Sequence, residues 1–176
     1  MHNIICMVLF LAYLVGTVSV PKDCEAFLFH ATRKAAAKRI MASGFGKARM
    51  KTSARMGKGV YAAERRATAL KELPKANAVV RMREGTYLKK NTIELRRPAP
   101  DKLKQIVGER DLRGTVKRGV IGPRLGHEIG RTAGKNGKAI RYTSARDARG
   151  ANIFIPKKTY AAHPRLIRPD KVGSVN

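Results

Sequence analysis

The chain has 176 residues, 43% of them hydrophobic, which is enough for one domain with a packed core. Its 38 Lys and Arg against 12 Asp and Glu give a formal net charge of +26, well above the magnitude of about 2 to 8 usual for a small soluble domain. An anionic partner such as RNA, DNA, a ribosome or an anionic membrane is therefore expected. The two cysteines, Cys6 and Cys24, exclude a disulfide scaffold and a cysteine-based metal site, because Cys6 falls in an apolar leader.

The leader is an uncharged run, residues 4–20, followed by the polar sequence PKD. Such a run predicts a signal peptide that is removed between about Val18 and Asp23, so that a secreted protein begins near Pro21. No Lys or Arg precedes the run, and its length also suits a membrane anchor. We therefore expect a signal peptide or anchor over residues 1–20 and one folded domain over residues 21–176.

The first predicted elements after the leader are a strand over residues 26–30 and a helix over residues 33–43. Apolar side chains recur in the helix at Ala36, Ala37, Ile40 and Met41, and Gly44 suits its C-terminal cap. The sequence GKGVYAA then predicts a second strand, entered through glycines. A second helix is predicted over residues 64–73, with Ala67 and Leu70 on one face and Pro74 ending it.

The rest of the chain is predicted to be mostly strands and loop. Residues 77–83 and 86–95 are typical of strands joined through Gly85, and two more strand-like runs, 138–144 and 151–160, flank the turn ARDARG. Residues 96–138 hold prolines, glycines and many cations, which predicts a long basic loop with at most one short helix over 101–107. Residues 163–169 suit an edge strand. The expected fold is a single α+β domain of mainly antiparallel split sheets with two short helices.

The succession FHAT, ASGF, GKGVYAA and RRATALKE resembles the front half of the ADP-ribosyltransferase superfamily, in which a strand His and a G-x-G-V-Y strand with its helix build a pocket for NAD. The spacing from Tyr61 to Glu72 and the late sequence IRYTSARDARGANIFIP are most similar to the RES-domain toxins. RES-type members usually have Arg in place of His30, and the diphtheria-toxin and poly(ADP-ribose) polymerase branch usually has a Glu on a late strand, whereas this chain has no Glu after Glu128. The resemblance implies a divergent member with an ADP-ribosyltransferase-like fold and NAD as its substrate.

The resemblance also implies roles for single residues around the NAD. His30 would bond a ribose hydroxyl, the Ala31 backbone would hold the nicotinamide amide, and Thr32 would support both. Arginines suited to bidentate contacts with the pyrophosphate are Arg33, Arg55 and Arg141.

The catalytic candidates are Tyr61, Glu72 and Ser144. The Tyr61 ring would stack on the nicotinamide. Breaking the bond between nicotinamide and ribose creates an oxocarbenium-like centre, so Glu72 or Ser144 would lie beside the reacting sugar. Asn152 is the further NAD-binding candidate if the site is closer to the diphtheria-toxin branch. Taken singly, these residues also have structural explanations: a satisfied histidine, an edge aromatic, a solvated helix carboxylate and a turn cap.

Two classes of function follow from the sequence. The first is an exported, toxin-like enzyme that cleaves NAD and transfers ADP-ribose to a macromolecule or to water, held in check by an immunity protein. The second is a non-enzymatic basic protein that binds nucleic acid on a degenerate transferase fold, and a ribonuclease toxin ranks third. The histidines His30, His127 and His163 are too scattered to suggest a metal site.

Overall fold

The computed structural model describes residues 26–46, 50, 54–98, 100–108, 116–117 and 120–175. The predicted leader, its cleavage zone and Cys24 lie outside these ranges. Within them, no helix has both the length and the apolar character needed to cross a bilayer.

The described ranges contain nine strands and six helices. The strands are β1 (Phe27–Thr32), β2 (Gly59–Ala63), β3 (Ala78–Glu84), β4 (Thr92–Leu95), β5 (Val116–Lys117), β6 (Val120–Ile121), β7 (Ala139–Thr143), β8 (Ala151–Pro156) and β9 (Ile167–Ser174). The helices are α1 (Lys34–Ser43), α2 (Arg66–Glu72), α3 (Thr86–Lys90), α4 (Pro100–Val107), α5 (Pro123–Lys135) and α6 (Lys157–Ala162).

Seven strands form one mixed sheet in the order β4-β7-β8-β2-β1-β3-β9, and β5 pairs with β6 in a separate ribbon. Only β4 and β7 run parallel among the described pairs. The predicted single α+β domain with mainly antiparallel strands is therefore confirmed. The split sheets and the two helices are corrected to one seven-stranded sheet and six described helices.

The two faces of the sheet are covered by different helices. On one face, α1, α3 and α6 pack onto alternate residues of the central strands, such as Leu28, Val60 and Val80. The opposite face carries two separate clusters. We call the first the alanine cluster, which comprises Ala31, Ala63, Ala69, Ala76 and Val79. We call the second the α5 cluster, which comprises Met56, Leu95, Leu103, Ile121, Leu125, Ile129, Ala133, Ile140, Tyr142 and Phe154.

The first predicted helix is confirmed as α1. Its N–H at Gly44 bonds to the Ile40 carbonyl at 2.8 Å, and Gly44 has a φ of 70°, which favours glycine. The buried face is narrower than expected, because Met41 is exposed. In α2 the buried residues are Thr68 and Ala69 rather than Ala67, because the helix begins only at Arg66 after an extended Arg65.

Two predicted strands are helical in part. Residues 86–90 form the short helix α3 before β4. Gly85 precedes it in an extended conformation, and Leu88 is its one buried residue. Residues 157–162 form α6 directly after β8, where Pro156 has a φ of −55° that suits the entry to a helix. Apolar runs of this length do not separate strand from short helix by pattern alone.

The largest correction concerns the predicted basic loop, which contains the 13-residue helix α5. Its glycines at 126, 130 and 134 recur every fourth residue and so lie on one side of the helix. A Cβ at Gly130 would collide with the Met56 carbonyl, and one at Gly126 would lie 2.5 Å from the Arg55 carbonyl. These glycines therefore let α5 lie directly against the 55–56 backbone, although glycine normally disfavours a helix.

Candidate functional site

A cavity of about 290 Å³ lies where the alanine cluster meets the α5 cluster. It is lined by Phe29, His30, Ala31, Ala54, Arg55, Tyr61, Ala62, Ala63, Ala69, Glu72, Leu73, Tyr142, Ala145 and Asn152. Of the residues singled out in the sequence, the cavity brings together His30, Ala31, Arg55, Tyr61, Glu72 and Asn152.

His30 lies where β1 and β2 separate. The two strands share a single registered pair, Phe29 with Ala63, whereas β2 and β8 stay paired from Gly59 to Ala63. The His30 Nδ1–H donates to the Tyr61 carbonyl at 2.7 Å, because a carbonyl can only accept. Burial lowers the pKa of His30, the Tyr61 bond opposes that shift in part, and the neutral ring then has Nε2 as an acceptor.

Tyr61 joins the cavity to the preceding loop. Its hydroxyl donates to the Gly57 carbonyl at 2.7 Å and accepts from the Met56 N–H at 2.9 Å. The ring centroid lies 4.8 Å from that of Phe154, at a tilt of 41°. Burial raises the pKa of Tyr61, so the side chain is a neutral, fixed aromatic wall rather than a titrating base.

Glu72, at the end of α2, is held by two donors from other elements. Its Oε1 accepts from Ser144 Oγ at 2.6 Å and from Asn152 Nδ2 at 2.7 Å. The carboxylate fixes the orientation of the Asn152 amide, because only the NH₂ group can donate to it. Both hydrogen bonds that Glu72 accepts from described residues go to Oε1, which leaves Oε2 without one among them. The buried Asn152 Oδ1 accepts no hydrogen bond of ordinary geometry from the described residues, although the Tyr142 hydroxyl approaches that side chain.

Ser144 does not line the cavity, but it positions Glu72. Its Oγ also accepts the backbone N–H groups of Arg146 and Asp147 at 3.1 and 3.0 Å. Ser144 is thus both the turn cap and the partner of Glu72, two roles that the sequence presented as alternatives. Asp147 is tied in turn to Thr68 of α2 at 2.7 Å.

The predicted arginines separate in space. Arg55 lines the cavity while its Nη1 donates to the Ile121 carbonyl at 2.5 Å. Arg33 is exposed before α1, and Arg141 forms ion pairs with Glu64 at 2.7 Å and Glu84 at 3.1 Å. Neither lines the cavity, and Thr32 is buried at the end of β1 without lining it. Of these three arginines, Arg55 is therefore the one that the cavity lining supports as a partner for the pyrophosphate.

Tyr142 is a lining residue that the sequence argument missed. It lies opposite Asn152 in the β7–β8 register, and burial raises its pKa. The alternation in KAIRYTS was the available signal, because it places Tyr142 and Ile140 on the same side of a strand.

Comparison with known proteins gives a fold relative only. No family model matches the chain, and no curated protein matches its sequence. A solved structure, described as the crystal structure of the M. tuberculosis MbcT–MbcA toxin–antitoxin complex, matches with a TM-score of 0.54. The match has 10% identity and covers 86% of this chain and 85% of that chain, so it shows a shared fold.

Proposed function

We propose that the chain is a toxin-like enzyme that cleaves NAD and transfers ADP-ribose to a macromolecule or to water. The observation that carries the proposal is the Glu72 carboxylate on the cavity wall, with Oε1 held by Ser144 and Asn152 and Oε2 without a partner among the described residues. The fold shared with a structure of a toxin–antitoxin complex supports the toxin-like part.

The cavity suits the chemistry of nicotinamide cleavage. The bond between the nicotinamide nitrogen and ribose C1 breaks, its electron pair leaves with nicotinamide, and C1 develops positive charge. A fixed carboxylate stabilises that charge without reorganising, which makes Glu72 the candidate stabiliser. An acceptor nucleophile or water then forms the new bond to C1 and releases its proton to solvent or to Glu72.

The remaining lining residues fit the binding of NAD. The neutral Tyr61 ring offers an aromatic face to nicotinamide, and His30 Nε2 offers an acceptor to a ribose hydroxyl. Arg55 is the lining cation available to the pyrophosphate. At about 290 Å³ the cavity is near the lower end of ligand sites, roughly 300 to 1,000 Å³, so it accommodates the nicotinamide riboside end of NAD rather than all of it.

The proposal is tested by nicotinamide release from NAD, with the full chain and no acceptor but water. Glu72→Gln keeps the shape of the side chain and removes its charge, so we expect at least about a tenfold loss of kcat, or about 1.4 kcal/mol of transition-state stabilisation. Tyr61→Ala and Arg55→Ala are expected to lose at least about tenfold in kcat/KM.

The matched control for Arg55→Ala is Arg33→Ala, which removes the same charge outside the cavity and is expected to retain activity. Absence of NAD cleavage by the wild-type chain, with cell extract added as a source of acceptors, would overturn the proposal. Equal activity of Glu72→Gln and wild type would remove Glu72 from the mechanism.

An antitoxin-type partner belongs to the same proposal. The related fold was solved in a complex of a toxin with its antitoxin, and an active NAD-cleaving enzyme would need such control in its own cell.

The second candidate function is a non-enzymatic nucleic-acid-binding protein on this fold, favoured by the net charge of +26. Tight binding of oligonucleotide by a chain that never turns over NAD would favour that candidate. A ribonuclease toxin ranks third and predicts cleavage of the same oligonucleotide.

A further inference from the structure

A second concavity of about 770 Å³ lies beside the cavity, between α5 and the start of α6. We call it the basic groove. Its cations are Lys58, Arg124, Arg131, Lys135, Lys157 and Lys158. Most of them are exposed, with Lys157 half-buried. No ion pair joins any of the six to a carboxylate of the described residues, and Glu128 is the one described acidic residue that lines the groove.

The placement of these cations follows from the glycine face of α5. The buried residues of α5 include Leu125, Gly126, Ile129 and Gly130, so the helix turns Arg124, Arg131 and Lys135 away from the core. Arg124 and Arg131 are seven residues apart, which is about two helical turns, and therefore lie on the same side. Lys157 and Lys158, at the start of α6, line the same groove.

We propose that the basic groove binds the phosphate backbone of a single-stranded nucleic acid. Cations without carboxylate partners lose no existing ion pair when they bind phosphate, and binding releases the counterions of the polyanion. A groove with cations on both walls suits a linear chain of phosphates, as in sites for single-stranded nucleic acid. A membrane surface is flat and would leave cations inside such a groove without contact. The groove therefore specifies where the expected anionic partner binds.

The binding test uses the full chain and a labelled single-stranded oligonucleotide of about 12 nucleotides, without NAD, so its result does not depend on NAD cleavage. The groove variant is Arg124→Gln, Arg131→Gln and Lys135→Gln combined. The matched control combines Lys34→Gln, Lys38→Gln and Arg39→Gln, which removes as many charges from the exposed side of α1, on the other face of the sheet. Thermal unfolding followed by circular dichroism checks that both variants fold.

We expect the groove variant to bind at least about tenfold more weakly and the control within about threefold of wild type. The slope of log affinity against log salt should fall in magnitude by about 2 in the groove variant, since each phosphate contact on a single strand contributes about 0.7. Equal weakening of both variants would show that net charge alone matters and would overturn the assignment. Binding to vesicles of anionic lipid but not to the oligonucleotide would overturn it in favour of a membrane surface.

Discussion

The two clusters on the cavity face of the sheet use small residues with opposite effects on packing. The alanine cluster meets α2 with small side chains, and Ala31, Ala63 and Ala69 also line the cavity. The α5 cluster is built from large side chains such as Phe154 and Ile129, and its helix approaches through glycines. In the alanine cluster, small side chains therefore leave a cavity open. Beside the α5 cluster, glycines instead let the helix pack so closely that no space is left.

This difference separates two meanings of a small residue. A larger side chain at an alanine of the cavity wall can extend into the cavity, where it reduces the space for a ligand. A glycine packed against a backbone carbonyl cannot be replaced by a residue with a Cβ, because neither the carbonyl nor the helix can move independently. Substitutions in the two clusters should accordingly affect different properties, binding in one and folding in the other.

The largest effect is expected for Gly130→Ala. The added Cβ collides with the Met56 carbonyl, so we expect the free energy of unfolding to fall by about 3 kcal/mol or more despite the better helix propensity of Ala. Gly134→Ala, one turn later in α5, brings its Cβ to 3.1 Å from the Pro156 Cβ and should cost far less. Urea unfolding of both variants checks this, and equal stabilities would contradict the close approach of α5.

A change that fills the cavity is expected to act on activity instead. Ala69→Leu places a larger side chain on the cavity wall, so nicotinamide release should fall at least about tenfold while the melting temperature stays near that of wild type. Ala67→Leu, on the exposed side of α2, is the control and should retain activity. A fully active Ala69→Leu chain would place the NAD site outside this cavity.

The polar tie at the edge of the alanine cluster is expected to have an intermediate effect on stability. Ser144→Ala removes a donor to Glu72 and the acceptor for two backbone N–H groups at a buried position, which should cost about 1 to 3 kcal/mol. Ser43→Ala is the control, because that hydroxyl is exposed and, among the described residues, donates one hydrogen bond, to the Arg39 carbonyl at 3.0 Å. Equal free energies of unfolding in urea for the two variants would show that the Ser144 hydrogen bonds do not stabilise the fold.

The smallest effect is the pH dependence that comes from His30. Burial lowers its pKa in the folded state below the ordinary value of 6.5, so the unfolded chain binds more protons between those two values. Stability from this residue is complete above pH 6.5 and is lost as the pH falls through that window. Between pH 8 and pH 5 the melting temperature of His30→Asn should fall less than that of wild type. His163→Asn, at an exposed position, should show the same fall as wild type.

The sequence predicted the elements whose local signals agree with their surroundings. Strands β1 and β2 and helix α1 with its glycine cap all lie in one segment with clear alternation and turn residues. The same segment holds His30, Ala31, Arg55, Tyr61 and Glu72, the candidate site residues of this segment that the cavity brings together. Helix α5 was missed because its glycines indicate a loop when propensity alone is considered. Their role, to let the helix pack against the Met56 backbone, depends on a residue about 70 positions earlier in the chain. Likewise, no local signal relates Ser144 and Asn152 to Glu72, since those contacts span more than 70 residues.

The last strand of the sheet, β9, has a consequence for behaviour at high concentration. It forms one edge of the sheet, and Pro169 interrupts the donors of that strand while Arg168 and Lys171 place charge beside them. The other edge, β4, is only four residues long. Both edges therefore resist pairing with a strand of another molecule, so the sheet is protected against growth into aggregates.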